Sequence, residues 1–84
     1  MKMINAFVMV KIGPTEYLGS IKTAKEEVAK IPGVLKAYTV FGKYDLIVEV
    51  EARDLSELSR SVADKVRSIS GVVSTETYIC FEPE

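Results

Sequence analysis

A chain of 84 residues, 48% of them hydrophobic, has room for one small domain spanning 1–84 with one modest core. A formal net charge of −1 supplies no basic stripe, so direct contact with nucleic acid is not expected. The single cysteine, Cys80, can form neither an intramolecular disulfide nor a four-ligand metal site, and a cytoplasmic setting is expected. No apolar run reaches membrane-spanning length, and the start Met1-Lys2-Met3-Ile4-Asn5-Ala6-Phe7 leads into a strand rather than a signal peptide. Histidine is absent, which removes the usual general base and the commonest metal ligand. Neither catalysis nor a resident metal or cofactor is therefore expected.

Met3 to Ile12 reads as a strand rich in Ile, Phe and Val, broken by Gly13-Pro14-Thr15. From Glu16 to Ile31 the apolar residues Leu18, Ile21, Ala24, Val28 and Ile31 fall three or four apart, which predicts a helix. Thr15 is its expected N-cap, with Glu16 placing negative charge in the first turn. Pro32-Gly33 ends it. Val34 to Phe41 and Tyr44 to Ala52 are the second and third strands. Between them Gly42-Lys43 suits a two-residue type II′ turn, with glycine at its first central position. Asp54-Leu55-Ser56-Glu57 has capping-box spacing, and the helix behind it carries Leu55, Leu58, Val62, Val66 and Ile69 on one stripe. Gly71 stops that helix, and Val72 to Phe81 forms the last strand.

The two halves echo each other at an offset of 38. Ile31-Pro32-Gly33-Val34 matches Ile69-Ser70-Gly71-Val72, while Ala24 and Val28 fall on Val62 and Val66. A doubled βαβ of this length predicts an α+β, ferredoxin-like βαββαβ sandwich, with two helices on one face of a four-stranded antiparallel sheet.

Period-two alternation sorts the strand side chains by face. Closing the hairpin on Gly42-Lys43 pairs Phe41 with Tyr44, Val40 with Asp45, Tyr38 with Ile47 and Lys36 with Glu49. Leu35 and Ala37 then face the helices, as do Leu46, Val48 and Val50. Phe7, Met9, Tyr38, Val40 and Ile47 fall on the open face. A contiguous apolar patch of that size marks an interface, and a symmetric dimer through the sheets is expected.

Tyr44 and Asp45 place a phenol and a carboxylate at the mouth of a strand. Free turn N–H groups and Asp45 together suit a small zwitterion, the amides taking its carboxylate and Asp45 its ammonium. The same residues also fit plain structural roles: Asp45 capping the hairpin through a backbone N–H, and Tyr44 packing on Phe41. Glu49, Glu51 and Glu76, spread over two strands, read as solvated surface or ion pairs rather than a metal site. Cys80 reads as a small strand residue.

Tyr38-Thr39-Val40-Phe41-Gly42-Lys43-Tyr44-Asp45-Leu46-Ile47-Val48 resembles the strand–Gly-x-Tyr-Asp–strand of the Lrp/AsnC family's effector-binding, or RAM, domain. Ile31-Pro32-Gly33-Val34 and Gly71-Val72-Val73-Ser74-Thr75-Glu76-Thr77-Tyr78-Ile79 are similar to other recurring segments of that family. The resemblance covers essentially the whole chain. It implies dimers assembling into larger rings and an amino acid or related small metabolite bound between dimers. By motif, Gly42, Tyr44 and Asp45 would line that pocket, with Thr77 and Tyr78 nearby. Because the first strand begins at Met3, the helix-turn-helix that precedes this domain in the family is not expected. A stand-alone regulatory module follows, acting alone or with a full-length Lrp/AsnC regulator. Two rival readings are a ligand-free assembly subunit and a small dimeric α+β-barrel enzyme.

Overall fold

The computed structural model describes residues 3–13 and 18–81. Four strands, β1 (Ile4–Ile12), β2 (Val34–Thr39), β3 (Leu46–Ala52) and β4 (Val72–Ile79), form one sheet in the order β2-β3-β1-β4, every pairing antiparallel. Helix α1 (Leu18–Ala29) joins β1 to β2. The β3–β4 connection is a continuous helical segment made of α2 (Leu55–Glu57), a π-helical stretch (Leu58–Ala63) and α3 (Asp64–Arg67). This is the expected ferredoxin-like α+β topology. The expected N-cap Thr15, with Pro14 and Glu16, lies outside the described residues. No helix among those described is long and apolar enough to cross a membrane.

Alternation in β1 and β3 builds the core. Ala6, Val8, Val10 and Ile12 bury against the helices beside Leu46, Val48, Val50 and Ala52. Ala24 and Val28 of α1, and Leu58, Val62 and Val66 of the second helical segment, close the other side. Burying each of the valine, leucine and isoleucine side chains contributes roughly 1.5–3 kcal/mol, which is why the face assignment is sharply set. The hairpin register is as expected, with Lys36 opposite Glu49 and Tyr38 opposite Ile47.

The internal duplication extends to the backbone. Gly33 and Gly71 both adopt positive φ, at 100° and 95°. The Gly33 carbonyl accepts the Glu51 N–H and the Gly71 carbonyl accepts the Gly13 N–H, each at 2.8 Å. Donors and acceptors alike are related by the offset of 38. At Gly33 a Cβ would stand 3.0 Å from both the Glu51 carbonyl and Val62 Cγ2, so this corner has no space for a side chain.

Three expectations are corrected. Leu35 is half exposed instead of facing the helices, because a bulge between Val34 and Lys36 takes it out of the alternation. Leu55 is 59% exposed, since the first turn after its cap has not yet closed onto the sheet. Phe41 is fully exposed and does not pair with Tyr44. The bond from Val40 N–H to the Asp45 carbonyl, 3.0 Å long, encloses a wider loop than a two-residue turn.

The second helix begins as its spacing requires. Asp54 Oδ1 accepts the Glu57 N–H at 2.8 Å. Glu57 reaches back to the Arg53 N–H at 2.6 Å, one residue before the cap, and pairs with its guanidinium. These contacts with Arg53 hold the Glu57 carboxyl below its usual range.

Candidate functional site

The open face of the sheet is built from the other half of the alternation. Phe7 lies opposite Tyr78 and Glu49, and Met9 opposite Glu76 and Ile47. Tyr38 flanks Ile47 from β2, and Lys36 stands 5.1 Å over the Tyr38 ring as a cation–π pair. The result is an apolar centre of Phe7, Met9, Tyr38, Ile47 and Tyr78, with charges around it. Tyr38 and Tyr78 are 40% and 51% exposed, so two broad ring faces are available to a partner. Val40, expected here, lies just past the end of β2.

At the hairpin end of this face two clusters meet. In the first, Asp45 Oδ2 accepts the Ile12 N–H at 2.8 Å and stands 3.5 Å from Lys11 Nζ. Asp45 therefore ties the hairpin base to the end of β1, a structural contact with a partner 33 residues away. In the second, the Tyr44 hydroxyl crosses β1 and donates to Glu76 Oε1 at 2.6 Å. Tyr78 stands two residues further along β4, on the same face. The Tyr44 bond above all, then Tyr78, favours the charged carboxylate, so the Glu76 carboxyl is held below its ordinary range, with Lys43 adding a smaller attraction. The same contacts raise both phenols, since a phenolate would face a carboxylate.

Of the five residues expected at the site, the structure brings Tyr44 and Tyr78 together around Glu76, with Asp45 at the adjacent corner. Gly42 sits at the loop tip with φ 148° and open space around it. Thr77 is separated from them. It pairs with Val8 and so projects to the helix side of the sheet, where it borders a groove with Leu58 and Ala63. Glu76 itself reads from sequence as plain surface. The i, i+2 spacing of Glu76 and Tyr78 was the signal available, as it puts both on one face.

The Glu76 cluster makes a direct forecast. In Glu76→Gln, the Tyr44 and Tyr78 phenols should ionise at lower pH, back toward the ordinary value of 10.0. Tyrosinate absorbance followed on raising the pH reads this out; an unmoved titration curve contradicts the cluster.

Comparison with known proteins gives a consistent result. The Lrp/AsnC ligand binding domain matches residues 5–83. An uncharacterised HTH-type transcriptional regulator of Pyrococcus abyssi is 38% identical over 77 residues, covering 92% of this chain and 51% of the regulator. The chain thus spans about half the length of that relative. A homocitrate synthase of Sulfurisphaera tokodaii is 34% identical over 74 residues, 88% of this chain but 15% of the enzyme. Among solved structures, TTHA0845 of Thermus thermophilus superposes with a TM-score of 0.83 at 33% identity, each chain 98% covered. The transcriptional regulator NMB0573 of Neisseria meningitidis, solved as a complex with L-Met, shares the fold at TM-score 0.81 and 23% identity, over 94% of this chain and 50% of that one. By sequence profile, by relatives and by fold, the chain belongs to the Lrp/AsnC family, as a copy of its ligand binding domain.

Proposed function

We propose that this protein is a regulatory amino-acid-binding module that dimerises through its open sheet face and binds its effector where dimers meet, near the Gly42–Asp45 corner. Glu76 carries the reading: a carboxylate that accepts the Tyr44 hydroxyl at 2.6 Å, with the Tyr78 ring on the same strand face and apolar surface beside it. An α-ammonium finds there a charged acceptor of the kind that gives strong hydrogen bonds. Asp45 has one oxygen already engaged by Ile12 and Lys11, so it positions the corner while Glu76 meets the ligand. Tyr44 and Tyr78 flank the site, Gly42 leaves its rim open, and Thr77 stands behind the sheet.

Two relatives support the reading. One transcriptional regulator of the same fold is solved as a complex with L-Met. A similar segment also occurs within a homocitrate synthase as well as in an HTH-type transcriptional regulator, which fits a sensing unit separable from any one output. A full-length Lrp/AsnC regulator is the natural protein partner. A ligand-free assembly subunit is the second reading, favoured by Asp45 being occupied internally; mixed oligomers with such a regulator, formed without effector, would establish it.

Isothermal titration of the assembled protein with each of the common amino acids decides between them. Saturable heat with one or a few, lost in Glu76→Gln, is the expected result. No heat with any of them overturns the sensor reading.

A further inference from the structure

β2 and β4 are the outer strands of the sheet, and a strand edge is a template for pairing with another chain unless something guards it. β2 is guarded. It is six residues long, starts in the bulge between Val34 and Lys36, and carries Lys36 as an exposed cation. β4 has no such device from Ser74 to Ile79. Its one charged side chain, Glu76, is drawn back across β1 by the Tyr44 hydroxyl. Tyr78, Ile79 and, just past the strand, Phe81 are exposed. Leu55 and Leu58 border a groove with Thr77 and Ile79 along the same edge.

The edge is open in its hydrogen bonding too. The Cys80 N–H bonds to the Asn5 carbonyl at 2.8 Å, and bonded pairs alternate with unbonded ones along an antiparallel ladder. Carried down the β1–β4 register, Tyr78, Glu76 and Ser74 turn their backbone groups to β1. Thr75, Thr77 and Ile79 then point their N–H and carbonyl groups outward. Among the described residues β4 pairs with no strand but β1.

We infer that β4 pairs edge to edge with β4 of a second copy, antiparallel about a two-fold axis at Thr77. Such an axis stands perpendicular to the sheet, so both copies keep their helices on one side and residues of the same face lie opposite. The axis must then pass through a single residue. At Glu76 it would set two carboxylates against each other. At Thr75 it would place Gly71, with φ 95°, opposite Ile79 and leave Phe81 uncovered. At Thr77 it sets threonine against threonine, Ile79 against Thr75, and Glu76 beside Tyr78 of the partner copy. Glu76 Oε1 takes the Tyr44 hydroxyl, and Oε2 takes that of the partner copy's Tyr78. A second copy thus contributes a side chain to the Glu76 site. The contact is one strand wide, so it links the open-face dimers proposed above instead of holding two protomers alone, and it rests on that reading.

Sedimentation velocity and engineered disulfides test it. At micromolar concentration the protein should sediment as assemblies larger than a dimer. Thr77→Pro removes only an outward N–H, which an edge strand tolerates, and Thr77→Lys brings two cations together at the axis. Each should stop assembly at the dimer with an unchanged circular dichroism spectrum. In a Cys80→Ser background, Thr77→Cys treated with diamide should give a covalent dimer, since opposed Cα atoms stand about 5.5 Å apart, within disulfide reach. Thr75→Cys in the same background lies opposite Ile79 and should stay unlinked. Assemblies that persist in both Thr77 variants, or equal cross-linking from the two positions, overturn the edge pairing and leave the open-face dimer standing. A wild type no larger than a dimer overturns the edge pairing as well, and one that sediments as a lone protomer overturns the open-face reading with it.

Discussion

Replacing Leu46 by alanine is expected to lower the unfolding free energy by about 3 kcal/mol. Leu46 is fully buried, opposite Val10 on one side and Thr39 on the other. It belongs to the single contiguous cluster formed by sheet and helices. Truncation removes its transfer free energy and leaves a cavity that two flanking strands cannot collapse to fill. A domain of this size has about 5–15 kcal/mol in total, so the loss is a large fraction of it. Thermal unfolding should move down by roughly 15 °C. Leu35→Ala, the same chemical change at a half-exposed bulge position, should cost about 0.5 kcal/mol or less. Equal effects at the two positions would contradict the face assignment.

Ile47→Glu should leave the protomer folded and break the proposed dimer. Ile47 stands at the centre of the open face, with Met9 on one side and Tyr38 on the other. In the protomer a glutamate there is open to water and costs little. In a symmetric sheet-to-sheet dimer the same change buries an unpaired carboxylate from each copy. Leaving a buried charge unpaired costs about 3–5 kcal/mol, so the dimer dissociation constant should rise about 100-fold or more. Sedimentation velocity at micromolar concentration should show the variant as a protomer with an unchanged circular dichroism spectrum. Unchanged sedimentation would move the interface to another surface.

Alternation, caps and breaks carried most of the fold, because each is a local pattern with one geometric meaning. Asp54 and Glu57 show their capping roles three residues apart. Lys36 and Glu49 follow once the hairpin is placed between Phe41 and Tyr44. Leu35 escaped because a bulge is a one-residue slip, and nothing in Gly33-Val34-Leu35-Lys36 announces it. Phe41 escaped because the loop width depends on the Val40–Asp45 backbone bond, which many residues permit. At the site the difficulty was distance along the chain. Asp45 reads as a local hairpin cap, and it does accept a backbone N–H, but that of Ile12. Glu76 and Tyr44 are 32 residues apart, and their bond needs the β3-β1-β4 order to exist before it can form. The motif Gly42-Lys43-Tyr44-Asp45 points to this end of the sheet but carries no sign of Glu76, which Tyr44 reaches across β1.

The hydrogen bond from Cys80 N–H to the Asn5 carbonyl, 2.8 Å long, sets the first and last strands side by side. Asn5 and Cys80 thus come together at the end of the sheet away from the Gly42 loop. A short linker between Met3 and Phe81, with the chain reopened at Gly42-Lys43, would yield a circular permutant. Its strands would keep their neighbours while their order of synthesis changed. Such a rearranged protein would separate what the hairpin corner contributes as a covalent turn from what it contributes as a surface.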